Sequence, residues 1–102
     1  MFKFVTIYRK VNDEQKLEDF FTTVHLPLAE ALPNLVKREI SRVIRKPGGQ
    51  SRYYLMVELY FESEAAFKTA VATETGVKLI QALTPWAEAR LITWFFAEAF
   101  EE

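Results

Sequence analysis

Residues 52–62, Arg-Tyr-Tyr-Leu-Met-Val-Glu-Leu-Tyr-Phe-Glu, restrict the possible folds more than any other stretch of the chain. Tyr53, Leu55, Val57, Leu59 and Phe61 alternate with Tyr54, Met56, Glu58 and Tyr60, so a strand made of them is largely apolar on both faces. Such a strand belongs in the middle of a sheet with each face covered. Just before it, Lys46-Pro47-Gly48-Gly49-Gln50-Ser51 is a turn by composition, and Leu35 to about Arg45 reads as a strand ahead of that turn. The two strands therefore form a long antiparallel hairpin. The earlier strand carries Lys37, Arg38, Glu39, Arg42 and Arg45, a charge density that suits a sheet edge. The double glycine lacks the spacing and the following helix of a phosphate-binding loop.

The remaining elements fall around this hairpin. Phe2 to Tyr8 is a strand, with Phe2, Phe4, Thr6 and Tyr8 on one face and Lys3, Val5 and Ile7 on the other. Asn12 or Asp13 caps a helix with Glu14 in its first turn, and Pro33-Asn34 ends it. Leu17, Phe20, Phe21, Val24, Leu28 and Leu32 give that helix its apolar stripe. Ser63 caps a second helix, with Phe67, Ala70 and Val71 buried. It breaks at Thr73 to Gly76 and resumes over Val77 to Leu83, before Thr84-Pro85. From Arg90 the run Leu-Ile-Thr-Trp-Phe-Phe-Ala-Glu-Ala-Phe is a fourth strand, with Trp94 and Phe96 on one face and Phe95 on the other.

Strand, helix, strand, strand, helix, strand is the split βαβ order, which predicts an α+β, ferredoxin-like βαββαβ domain over residues 1–102. Two helices cover one face of a four-stranded antiparallel sheet. The second face then needs a partner, and a symmetric copy packed sheet to sheet predicts a homodimer in the form of a dimeric α+β barrel.

Composition removes several classes of function. A formal charge of −1 and pI near 5.9 give no electrostatic case for nucleic acid or for an anionic membrane. With no cysteine and one histidine, neither a disulfide framework nor a protein-only metal site is expected. The sequence shows no secretion-type opening and no run of membrane-spanning length, so a cytoplasmic location is expected.

The one histidine, His25, lies two residues before Pro27. Proline supplies no N–H and presses on the carbonyl four residues back, here that of Thr23, so the helix bends or restarts near His25. An imidazole beside an irregular backbone is a candidate for proton transfer, although a lone histidine on an apolar stripe has a plain packing role as well.

Val24-His25-Leu26-Pro27-Leu28, Leu32-Pro33-Asn34-Leu35, Ile40-Ser41-Arg42-Val43 and the run from Tyr54 to Ser63 together resemble the EthD family of dimeric α+β barrel proteins, named for ethyl tert-butyl ether degradation. The resemblance spans nearly the whole chain. It implies a ferredoxin-like fold, a homodimer, and a small hydrophobic pocket between sheet and helices. Relatives in that superfamily include lactone isomerases, polyketide cyclases or dehydratases, and cofactor-free monooxygenases. Arg38 stands where family members often carry Tyr, and the chain has no cysteine for the isomerases that pair one with a histidine.

On this basis His25 is expected to act as general acid or base on a small hydrophobic carbonyl compound in small-molecule catabolism or secondary metabolism, without a cofactor. Glu58, a carboxylate among apolar neighbours, needs a partner: either His25, which it would orient, or a lysine or arginine on the helices or the partner subunit. If Glu58 faces His25, strand parity sends Tyr54, Met56 and Tyr60 toward the helices as well. Tyr8, Tyr54, Tyr60, Trp94 and Phe96, with Trp86, are candidates to bind substrate, against ordinary core or dimer packing. Two other readings remain: a non-catalytic carrier of a hydrophobic metabolite, and a haem-binding barrel with His25 as axial ligand.

Overall fold

The computed structural model describes residues 1–100 and has four antiparallel strands with all helices on one side. The strands are β1 (Phe2–Arg9), β2 (Lys37–Arg42), β3 (Tyr53–Phe61) and β4 (Ile92–Glu98), in the spatial order β2-β3-β1-β4. This is the ferredoxin-like α+β fold. The helices are α1 (Glu14–Phe20) and α2 (Leu26–Glu30), joined by a π-helical turn over Phe21–His25, then α3 (Glu64–Val71) and α4 (Glu74–Glu88).

The apolar pattern of β1 sets the layers. Its central register aligns Phe2, Phe4, Thr6 and Tyr8 with Phe61, Leu59, Val57 and Leu55 of β3, and with Glu98, Phe96, Trp94 and Ile92 of β4. These rows face the helices. Leu17, Phe21, Ala29 and Leu32 meet them from the first helical segment, and Phe67, Ala70, Leu79 and Leu83 from the second. Truncating a fully buried leucine in this set, Leu79 or Leu83, to alanine would cost about 2–5 kcal/mol.

Local chemistry fixes the element ends. Asp13 accepts from the Lys16 N–H and Ser63 from that of Ala66, so both cap helices as their residue types require. The hairpin turn has Pro47 in its first central position and Gly48 at φ +88° in its second, the arrangement of a type II turn. Gly76 is indispensable for another reason. A Cβ there would lie 2.3 Å from Cα of Val71 and 2.5 Å from the Ala70 carbonyl oxygen, so the start of α4 can approach the end of α3 only without a side chain.

Three expectations need correction. The charged strand is shorter than Leu35–Arg45, because pairing with β3 covers only Lys37–Arg42. The last helix does not stop before Pro85 but runs on to Glu88. Pro85 and Gln81 both lie on the exposed side, so water can serve the Gln81 carbonyl that a proline cannot. Finally, strict alternation fails at the start of β3. The register shifts between Tyr8 and Arg9, leaving Tyr54 as the extra residue of a β-bulge that turns its side chain toward α1.

On the second sheet face stand Lys3, Val5 and Ile7 of β1, Met56, Glu58 and Tyr60 of β3, and Phe95 of β4. The face mixes apolar groups with a polar cluster. Lys3 Nζ donates to Glu58 at 3.1 Å, Tyr60 Oη donates to Glu39 at 3.1 Å, and Lys37 lies 4.5 Å from the centre of the Tyr60 ring. Among the described residues no helix is long and apolar enough to cross a membrane.

Candidate active site

Leu17, Phe21, His25 and Ala29 recur every four residues, and all four are buried. In a regular α-helix each four-residue step overshoots a full turn by roughly 40°, so three steps would carry the stripe roughly 120° around the axis. The π-helical turn removes part of that drift. The Leu26 N–H reaches back five residues to the Phe21 carbonyl, widening the turn that holds His25. Pro27 lies in the first turn of α2 and, having no N–H, leaves the Thr23 carbonyl without its α-helical donor, which the wide turn accommodates. At the entrance to the wide turn, Thr22 and Thr23 donate their hydroxyls to the carbonyls of Glu18 and Asp19 at 2.8 and 2.5 Å. The helix is thus irregular next to Pro27, and the wide turn aims the imidazole into the core.

There His25 is 1% exposed. Its Nδ1 lies 2.5 Å from Oη of Tyr8, whose side chain is fully buried on β1. The Phe21 ring stands edge-on to the imidazole at 5.7 Å, and Trp86 edge-on to Tyr8 at 5.6 Å. Burial pushes the His25 pKa down to about 4 and the Tyr8 phenol well above its ordinary value, so both are neutral near pH 7. Nε2 of His25 is buried and has no hydrogen-bond partner among the described residues. A buried polar atom without a partner costs about 1–3 kcal/mol, and a ligand atom could relieve it.

Trp94 and Phe96 share one face of β4. With Phe4, Phe67, Val71, Ile80 and Phe95 they line an apolar cleft of about 560 Å³ between β4 and the pair α3–α4. Trp94 stands opposite Thr6, one pleat repeat from the Tyr8–Ile92 pair and on the same face, so the cleft and the His25–Tyr8 pair share the helix side of the sheet. His25 is not among the residues lining this cleft. Trp86 borders a smaller one of about 250 Å³ with Val11, Pro85 and Leu91.

The other candidates lie elsewhere. Glu58 does not meet His25. It projects from the opposite face of the sheet, where Lys3 is its ion-pair partner, and Tyr60 lies there with it. The pairing of Glu58 with His25 is therefore corrected: β3 is apolar on both parities, and the helices took the side of Leu55, Val57 and Leu59. Tyr54 does reach the helix side, but through the bulge. Its hydroxyl donates to Glu18 at 2.7 Å, while Arg42 ion-pairs with the same carboxylate. Arg42 and Tyr54 together hold the Glu18 carboxyl below its usual range. At 1% exposure His25 Nε2 is reached by any ligand only if the surrounding rings move, and a porphyrin would need a far larger displacement than a small carbonyl compound.

Sequence reasoning placed Tyr8 on one face of β1 with Phe2 and Phe4, without assigning that face to the helices, and named it as a substrate contact and not as the partner of His25. The available signal was its parity on β1, shared with Phe4, together with the four-residue spacing of Leu17, Phe21 and His25. Among the described residues no group of three or more His, Asp or Glu side chains converges as a metal site would require.

Comparison with known proteins agrees with the fold. Residues 12–82 match the EthD domain. The chain is 26% identical to an ethyl tert-butyl ether degradation (EthD) family protein from Bacillus halodurans, whose crystal structure superposes with a TM-score of 0.89 over 98% of this chain and 99% of that one. It is 24% identical over 76 residues, 74% of each chain, to an uncharacterised 11.0 kDa protein of the thcB–thcC intergenic region of Rhodococcus erythropolis. The fold is also shared with SnoaB, a cofactor-independent oxygenase from Streptomyces nogalater, at 14% identity and a TM-score of 0.67 over 99% of this chain and 94% of that one.

Proposed function

Since the chain belongs to the EthD domain family, we propose that it acts without a cofactor on a small hydrophobic carbonyl compound in small-molecule catabolism, and that His25 is its catalytic residue. The reaction class is isomerisation, cyclisation, dehydration or oxygenation. One observation carries this reading: a buried imidazole with one nitrogen engaged by Tyr8 and the other unsatisfied. A core histidine retained for packing alone has both nitrogens satisfied as a rule. Here the free nitrogen meets the requirement for a group that exchanges or shares a proton with substrate. The cleft beside Trp94 and Phe96 suits the apolar body of such a compound, because its lining carries no charged side chain.

Tyr8 takes the orienting role that a carboxylate would have filled. The exchange has a chemical consequence. A carboxylate would stabilise an imidazolium, whereas a neutral phenol does not, so His25 works in its uncharged form. Glu58 drops out of the proposed catalytic set, and Tyr54 and Tyr60 out of the substrate-binding one.

The placement of Glu58 and His25 on opposite sheet faces also favours a second reading, a binding or accessory protein that carries a hydrophobic metabolite. Both readings use the same cleft. A thermal-shift screen of lactones, aromatic ketones and polyketide-like compounds finds the ligand by the rise in apparent stability that binding gives. Turnover of that compound by wild type and by His25→Ala then separates the readings. Loss of turnover with retained binding supports catalysis; unchanged turnover ends the catalytic role of His25.

We further propose that the second sheet face is covered by another copy of the chain in a homodimer. Ile7 and Met56, both partly exposed, and Phe95, still 44% exposed, supply the apolar surface around the already buried Val5. Light scattering at micromolar concentration tests it, and a monomer across that range would refute it.

A further inference from the structure

Tyr8 Oη has one hydrogen-bond partner among the described residues, Nδ1 of His25. The phenol is fully buried, so its hydrogen has no water to turn to and must point at an acceptor. Nδ1 can accept only if it carries no proton. In the reverse arrangement Nδ1–H would donate to Oη, and the phenol hydrogen would be stranded in the core at a cost of about 1–3 kcal/mol. A neutral imidazole holds its single proton on one nitrogen or the other. With Nδ1 committed as acceptor, that proton resides on Nε2.

We propose that Tyr8 is a positioning residue that fixes His25 as the Nε2–H tautomer, so that the site offers its ligand a neutral N–H donor and takes an uncharged carbonyl oxygen as the matching acceptor. This deepens the functional reading above, on which only the ligand half rests; the tautomer stands on the hydrogen-bond geometry alone. A neutral acceptor fits because only burial acts on His25, with no charged side chain close enough to perturb it. An anion desolvated beside it would lack a counter-charge. A donor in this position stabilises negative charge that develops on a carbonyl oxygen, the service a neutral histidine gives when its pKa has been driven down. A base that removes a proton from carbon is then some group other than Nε2.

Because the chain has one histidine, its ring nitrogens can be read without assignment ambiguity. Long-range ¹H–¹⁵N correlation spectra of uniformly labelled, ligand-free protein at pH 7 report which nitrogen is protonated. The expected spectrum has a protonated, pyrrole-type Nε2 and an unprotonated, pyridine-type Nδ1. Tyr8→Phe is expected to lose this purity and populate the Nδ1–H form as well. A protonated Nδ1 in the wild type overturns the proposal. An unchanged Nε2–H tautomer in Tyr8→Phe overturns the positioning role of Tyr8, and should that variant fail to fold, the wild-type spectrum still decides the tautomer. The two levels fail separately. A protonated Nδ1 together with inactive His25→Ala removes this inference and spares the catalytic reading, while the expected tautomer with fully active His25→Ala does the reverse.

Discussion

Lowering the pH should destabilise this fold through one identifiable ring. His25 is buried with its pKa held down to about 4, against an ordinary value near 6.5 in the unfolded chain. Above pH 6.5 both states hold the ring neutral, so the contribution to stability is complete and constant. Between about 6.5 and 4 the unfolded chain takes up a proton that the native state refuses. Stability then falls as pH falls, by about 1.4 kcal/mol per pH unit at full slope, and levels off below about 4 when both states are charged. The integrated loss is about 3 kcal/mol, a large share of the ~5–15 kcal/mol that holds a small domain together. Carboxylates titrate in the lower part of the same window in any protein, so the measurement must be differential. Urea unfolding of wild type and His25→Gln at a series of pH values from 7.5 to 4.5, at one fixed protein concentration, isolates the histidine. The variant starts less stable at neutral pH, because it loses the Tyr8 hydrogen bond, but its pH curve should be the flatter by about 2.5 kcal/mol between pH 7.5 and 4.5. Parallel curves would refute the reasoning, as would a folded-state histidine titration centred near 6.5.

Three further outcomes follow from the packing. Glu58→Gln should leave ligand turnover unchanged and cost about 1 kcal/mol or less, because it loses a part-buried ion pair with Lys3 on the far face of the sheet; a loss of activity matching that of His25→Ala would contradict the placement. Pro27→Ala restores a backbone donor after the π-helical turn, and a crystal structure should show regular α-helix there with the Tyr8–His25 hydrogen bond broken; persistence of the wide turn would mean that Pro27 is not its cause. Gly76→Ala should destabilise by about 1–3 kcal/mol in urea unfolding although alanine is the better helix former, since its Cβ would meet the backbone of Ala70 and Val71; a gain in stability would show that α3 and α4 can separate at no cost.

The strand order was legible because each strand carries its own pattern: alternation in β1, apolar residues on both parities in β3 and β4, charge in β2. The helix irregularity was legible because Pro27 has a single mechanical effect on the residues before it. The identity of the His25 partner was not, and the reason lies in the same β3 pattern. A strand apolar on both faces does not say which face the helices take. With Leu55, Val57 and Leu59 as good a core row as Met56 and Tyr60, Glu58 had two possible sides. β1 held the better signal, since Phe2, Phe4 and Tyr8 make a larger apolar row than Lys3, Val5 and Ile7, and that row brings Tyr8 under the helix. The bulge at Tyr54 left no mark in composition, because one extra residue in a strand of aromatic and aliphatic side chains looks like every other. The helix running through Pro85 was missed because proline was weighed without regard to exposure, and on the solvent side its unserved carbonyl costs little.

The π-helical turn also has a consequence for comparing relatives. Its hydrogen-bonded ring holds one residue more than an α-turn, so the segment 21–25 behaves as a one-residue insertion absorbed inside a helix. A homologue with a regular helix here should align with a single-residue gap in this segment, while its flanking stripe positions, those of Leu17 and Ala29, stay in register. Without the insertion, the residue facing the β1 tyrosine is set by a different offset from the helix start. An ungapped alignment would then equate His25 with a residue on another face of the helix, and shared chemistry could be hidden by one misplaced column.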